Sequence, residues 1–112
     1  MADYAHNLDG LFRALGDPTR RGVLARLVKG PASISELAAP FDMALPSFMK
    51  HIGLLERSGW IVSRKEGRVR TCAIDAERFA EVQDWLGDQR RVWEQRTDRL
   101  EQFVLENEKE KQ

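Results

Sequence analysis

A chain of 112 residues holds one compact domain with a modest core and is too short for two ordinary ones, which excludes most large enzyme architectures. Apolar residues make up 42% and charged residues 32%, a balance that fits a folded, helix-rich protein rather than a disordered one. Lys plus Arg equals Asp plus Glu at 18 each, so total charge favours neither an acidic nor a basic partner and only its distribution is informative.

Leu8, Leu11, Phe12 and Leu15 stand at helical spacing with Gly16 as a stop, which predicts a first helix. Asp17 then Pro18 is an N-cap followed by a first-turn proline. Val23, Leu24, Leu27 and Val28 carry the apolar face of this second helix to Gly30-Pro31. Ser33 with Glu36 three residues later is a capping box, opening a short third helix through Ile34, Leu37 and Ala38. The chain turns over residues 42–45. Pro46 opens a fourth helix, over about 46–58, whose buried stripe is Phe48, Ile52 and Leu55 and whose stop is Ser58-Gly59. Residues 60–75 read as a two-stranded hairpin: Trp60, Ile61 and Val62 form strand, Glu66-Gly67 signals the turn, and Val69, Thr71 and Ile74 alternate. Helical periodicity returns at about Ala76 and continues to about Glu106. Phe79, Val82, Leu86, Gln89, Trp93, Arg96, Leu100 and Phe103 line one seam of a helix roughly 45 Å long. Residues 107–112 are expected to fray.

The charge segregates along this order. Between Met43 and Ile74, Lys50, Arg57, Arg64, Lys65, Arg68 and Arg70 stand against Glu56 and Glu66, an excess of about four positive charges, whereas the chain from Ala76 onward is acidic. Short helix, turn, second helix and basic hairpin is the order of a winged helix-turn-helix, in which the second helix enters the DNA major groove. The expected fold is therefore mainly α with a small β-hairpin. A single winged helix-turn-helix domain would cover residues 1–106 and dimerise through its terminal helices.

On the outward side of the fourth helix, Ser47, Lys50 and His51 are the candidates for reading base edges. Arg64, Lys65, Arg68 and Arg70 around Gly67 suit phosphates or the minor groove and would anchor rather than specify. The long seam on the last helix exceeds what one small domain buries, so Phe79, Val82, Leu86, Trp93, Leu100 and Phe103 are the candidate dimer interface. Cys72, the one cysteine, reads first as a buried packing residue and has no partner for an internal disulfide.

The segments Leu15-Gly-Asp-Pro-Thr-Arg-Arg-Gly-Val-Leu24, Ser35-Glu-Leu-Ala38, Lys50-His-Ile52 and Leu55-Glu-Arg-Ser-Gly59 resemble those of ArsR/SmtB-type regulators, over nearly the whole chain. The resemblance implies a homodimeric winged-helix repressor whose terminal helices pair and whose fourth helix reads operator DNA, palindromic if the dimer is two-fold. Gly67-Arg68, Cys72 and the Trp85/Trp93 pattern are similar to a branch without a metal site. Metal-sensing members carry a Cys-x-Cys pair in the third helix or His/Asp ligands in the last, where this chain has Glu36-Leu-Ala-Ala-Pro40 and no histidine. Neither metal nor other cofactor is therefore expected. Gly53 stands where similar proteins often have Lys or Arg, and a mid-helix glycine costs about 1 kcal/mol relative to alanine.

A winged-helix module that binds protein through the same surface is the alternative function. An enzyme is not expected, since the chain has no Gly-rich phosphate loop, no histidine paired with a nucleophile and no catalytic ligand set. With no secretory leader pattern and no apolar run near the roughly 20 residues of a membrane span, the expected location is the cytoplasm, without a membrane partner. The sequence names neither effector nor operator.

Overall fold

The computed structural model describes the backbone of residues 2–110 and the side-chain surroundings of residues 8–109. Its elements run α1 (Ala2–Ala14), α2 (Pro18–Leu27), β1 (Ala32–Ser33), α3 (Ile34–Ala38), α4 (Leu45–Ser58), β2 (Ile61–Glu66), β3 (Val69–Ile74) and α5 (Ala76–Glu110). Packing divides the chain at one point: the residues up to Glu81 form one compact unit, and α5 from Val82 onward forms another. Among the described residues no helix is long and apolar enough to cross a membrane.

The helix starts follow local chemistry. The Asp17 side chain accepts a hydrogen bond from the Arg20 backbone N–H at 3.1 Å, and Pro18, which has no N–H to satisfy, occupies the first turn of α2. Ser33 and Glu36 close both halves of the capping box: Ser33 Oγ accepts from the Glu36 N–H, and the Glu36 carboxylate accepts from the Ser33 N–H. Gly59 ends α4 with φ +98°, a left-handed conformation that glycine adopts without a side-chain clash.

Leu11 and Ala14 from α1, Val23, Leu24 and Leu27 from α2, Leu37 from α3, and Phe48, Ile52 and Leu55 from α4 are buried. Each large side chain among them contributes about 1.5–3 kcal/mol by leaving water. Trp60 joins the layers: its indole N–H donates to the Leu11 carbonyl at 2.7 Å, and its ring meets Phe79 edge to face at 6.0 Å. Phe79 is thus engaged within the first unit.

The sheet is antiparallel in the order β1-β3-β2. In the hairpin Glu66 faces Val69, leaving Gly67 and Arg68 as a two-residue loop; Gly67 has φ +61°, which the first loop residue of a II′-type hairpin requires. The third strand, β1, was not expected. It pairs Ala32 with Cys72 and Ser33 with Thr71 immediately before the helix that Ser33 caps. At the other end, α5 passes Glu106 and stays helical to Glu110, where fraying was expected. Residues 106–110 include neither Gly nor Pro, so nothing in their chemistry stops the helix. The expectation for residues 111 and 112 lies outside the described residues.

Desolvation, the largest influence on the Asp17 carboxyl, raises its pKa, but the Arg20 N–H, the His51 and Arg20 charges and the Thr19 N–H together outweigh it, leaving it below the ordinary 3.8. The ionised group therefore stabilises the fold fully above that ordinary value, and its contribution is lost as pH falls through the lower folded-state value. Urea unfolding should show Asp17→Ala less stable by about 1 kcal/mol at neutral pH, the cost of a lost N-cap. Asp17→Asn, which keeps a capping oxygen without the charge, should be less stable than wild type at neutral pH and converge on it in acid. A gap that widens in acid would contradict this account.

Candidate nucleic-acid interface

Helix α3, the bend over residues 39–44 and α4 make a helix-turn-helix, and the bend is fixed from behind. The Phe41 ring lies so close to α2 that a Cβ on Gly22 would sit 2.9 Å from it, and the same ring packs on Phe48 with centroids 5.6 Å apart. The bend thus rests on both α2 and the buried face of α4.

Phe48, Ile52 and Leu55 commit one side of α4 to the core, which leaves the opposite side bare. Ser47 and Lys50 lie there and are exposed, as expected from the sequence. Arg57 joins them. It stands seven residues after Lys50, on the same face, and its guanidinium folds back over Gly53, with Nη1 3.0 Å from where a Cβ on that glycine would be. A cation from the next turn therefore covers the position that lacks a side chain. The seven-residue spacing was a signal the sequence offered.

His51 is placed differently from Ser47 and Lys50. Its ring is about three-quarters buried, with Nδ1 at 3.1 Å from Arg20 Nη1 and 3.7 Å from Asp17 Oδ2. A guanidinium only donates, so when Nδ1 accepts from Arg20 the ring proton is the one on Nε2. Arg20 also donates from Nε to the Ala14 carbonyl at 2.7 Å, and Arg21 donates to the Leu15 carbonyl at 2.6 Å. These bonds satisfy carbonyls at the end of α1 and join α1, α2 and α4 at one corner.

Arg64, Lys65 and Arg68 are exposed on the hairpin, and Arg64 stands 3.8 Å from Glu66 across open solvent. Among the described residues Lys50, Arg57, Lys65 and Arg68 make no ion pair. Arg70 is not of this kind: its guanidinium holds both carboxylate oxygens of Glu56 at 2.6 and 2.8 Å. The bare face of α4 and the hairpin tip thus present unpaired cations, the pattern that attracts phosphate.

Residues 15–64 match the family described as a helix-turn-helix domain. A crystal structure of an ArsR family transcriptional regulator shares 63% sequence identity with this chain, covers 80% of it and 93% of its own length, and superposes with a TM-score of 0.74. The chain belongs to the ArsR family of transcriptional regulators. A curated relative, the HTH-type transcriptional regulator Rv2034 of Mycobacterium tuberculosis, is 31% identical over 67 residues, which are 60% of this chain and 63% of that protein. The fold is also that of a homodimeric winged helix-turn-helix DNA-binding domain from Mycobacterium bovis, with 17% identity, coverage of 81% and 86%, and a TM-score of 0.64. This ArsR-family chain is a DNA-binding regulator of transcription, and its family is one of regulators rather than enzymes.

In the regulator's last helix, Val82 is buried, whereas Leu86, Trp93, Leu100 and Phe103 are half or more exposed. Val92 and Leu105, absent from the expected seam, are exposed as well. Cys72 is fully buried in β3. Desolvation and the nearby Glu56 carboxylate raise its pKa, against an opposing pull from Arg70. The thiol is therefore expected to resist iodoacetamide in the native regulator at neutral pH and to react promptly once urea unfolds it; equal rates in the two states would contradict its burial.

Proposed function

We propose that the regulator is a homodimeric repressor working on double-stranded operator DNA in the cytoplasm, with its two recognition helices on the halves of a palindromic site. The observation that carries this reading is the set of exposed, unpaired cations shared by the bare face of α4 and the hairpin tip. In this reading Ser47 and Lys50 face base edges, and His51 contributes through Nε2–H, since its other nitrogen is engaged by Arg20. Arg64, Lys65 and Arg68 on the hairpin, with Arg57 on α4, hold phosphates. Arg70 serves from behind this surface.

The dimer is supported by α5. Leu86, Trp93 and Leu100 recur every seven residues and are 50%, 70% and 64% exposed in the single chain, with Phe103 at 60%. Large apolar side chains at heptad spacing leave water when a second copy of the same helix covers them. Among the described residues no three His, Cys, Asp or Glu side chains are grouped to hold an ion.

A duplex selected from a random-sequence library by the wild-type protein, compared with a scrambled duplex across a salt series, tests the DNA reading. Arg68→Ala should weaken both duplexes by similar factors and lower the salt slope by about one unit for each phosphate no longer held. Lys50→Ala should lose about 1–3 kcal/mol on the selected duplex, with a smaller loss on the scrambled one. If Lys50→Ala left the preference intact while Arg68→Ala abolished it, the hairpin would be the reader. For the dimer, sedimentation should show wild type as two chains and the Leu86→Glu, Leu100→Glu double variant as one; a double variant that still pairs would exclude this seam.

A further inference from the structure

Three side chains from three elements close a ring behind the DNA-facing surface. Arg70 of β3 donates from Nη2 to both oxygens of Glu56 of α4, at 2.6 and 2.8 Å, and from Nε to Ser63 Oγ of β2 at 3.0 Å. Ser63 Oγ in turn donates to Glu56 Oε1 at 3.1 Å. The strand register makes this closure possible: Lys65 opposes Arg70 and Ser63 opposes Cys72, which puts Ser63 and Arg70 on one sheet face at diagonal positions. That face is turned toward α4, as the buried Cys72 between β1 and β2 shows.

Glu56 lies one residue before Arg57 and six after Lys50, so the ring is anchored on the same helix that presents those cations, on its inner flank. The Arg70 and Glu56 side chains are 39% and 27% exposed, and all three members are part-buried, so the ring is shielded more than a surface ion pair. Ser63 and Arg70 are hairpin residues, and Glu56 is the recognition-helix residue that holds both.

We propose that Glu56, Ser63 and Arg70 form a positioning clamp that fixes the wing against the recognition helix, and that Arg70 sets operator specificity through this clamp rather than by holding a phosphate. The inference rests on the reading of α4 and the hairpin as the DNA surface. Arg70 pairs with Lys65 one step in from the hairpin loop, but its charge is already met by the Glu56 carboxylate, so it adds little to phosphate attraction. Its fork geometry instead joins two elements whose separation decides whether helix and wing reach the duplex together. Glu56 is an acid close to a phosphate-binding surface. If its only effect on DNA were repulsion, removing it would improve all binding; as the anchor of the clamp, its removal costs discrimination.

The test uses the full chain, the selected and scrambled duplexes, and four variants: Arg70→Gln, Glu56→Gln, their double variant, and Ser63→Ala as the mildest lesion. Each is first shown by circular dichroism to be folded at the assay temperature. Arg70→Gln should lower the selected-over-scrambled affinity ratio by about tenfold while leaving the salt slope on scrambled DNA unchanged. Glu56→Gln should lower the ratio similarly while raising affinity for scrambled DNA. The double variant should be no worse than the worse single, since both lesions break one ring. Ser63→Ala should move the ratio in the same direction by a smaller factor.

An unchanged ratio in Arg70→Gln with a slope lower by about one unit would make Arg70 an ordinary phosphate-binding residue and overturn the clamp. So would additive losses in the double variant, or a Glu56→Gln protein that improves on both duplexes equally. Should Arg70→Gln or Glu56→Gln fail to fold, a Ser63→Ala ratio equal to wild type would overturn it by itself. If the wild-type protein shows no preference for any selected duplex, the reading of the DNA surface fails, separately from the clamp.

Discussion

The structure depends on one division of labour within a single helix. Phe48, Ile52 and Leu55 bind α4 to the core, and only because those side chains satisfy the hydrophobic demand of the domain can the opposite face remain polar and bare. Phe48 is the largest of the fully buried side chains, and it also carries the Phe41 ring that fixes the bend before α4. Removing a buried phenylalanine typically costs about 3–5 kcal/mol, a large part of the total stability of a domain this size. The exposed polar face and the core are thus two sides of the same fourteen-residue helix.

Around that helix the polar side chains act as braces. Asp17, Arg20 and His51 join the start of α2, the end of α1 and the flank of α4. Glu56, Ser63 and Arg70 join α4 to the hairpin on the other flank. Both sets are part-buried, where a hydrogen bond holds geometry better than at the open surface and an unmade one is costly. The cations left outside them, Lys50, Arg57, Lys65 and Arg68, are the ones free to meet phosphate. Segregation of braced from unbraced charge is what the neutral composition concealed.

Much of the fold was legible because its boundaries are marked by residues with local, mechanistic effects. Asp17-Pro18, the Ser33/Glu36 capping box, Gly59 and Gly67 each act within a few residues, so the helices and hairpin could be placed from neighbours alone. The two-residue strand β1 was not legible, since a period cannot show itself over Ala32 and Ser33 and its partner lies some forty residues on. The same limit applied to the site. Periodicity put Ser47, Lys50 and His51 together on the outer face, but it could not show that Arg20, 31 residues earlier, reaches the His51 ring and that the ring is largely buried. Arg70 looked like one of a cluster of wing cations, and the carboxylate that claims it comes from a helix fourteen residues upstream. Phe79 continued the seam of the last helix in sequence, yet Trp60 takes it into the first unit. In each case the missing information was a long-range partner, which only the folded chain supplies.

Amide chemical shifts of the isotope-labelled chain, recorded with and without the selected duplex, would test most directly whether α4 and the hairpin together are the DNA surface. The account predicts that the largest changes fall on residues 46–57 and 64–68, with α5 beyond Leu86 little affected by DNA. Changes concentrated on α5 or on the outer sheet face around Val62 and Ala73, with α4 silent, would contradict it.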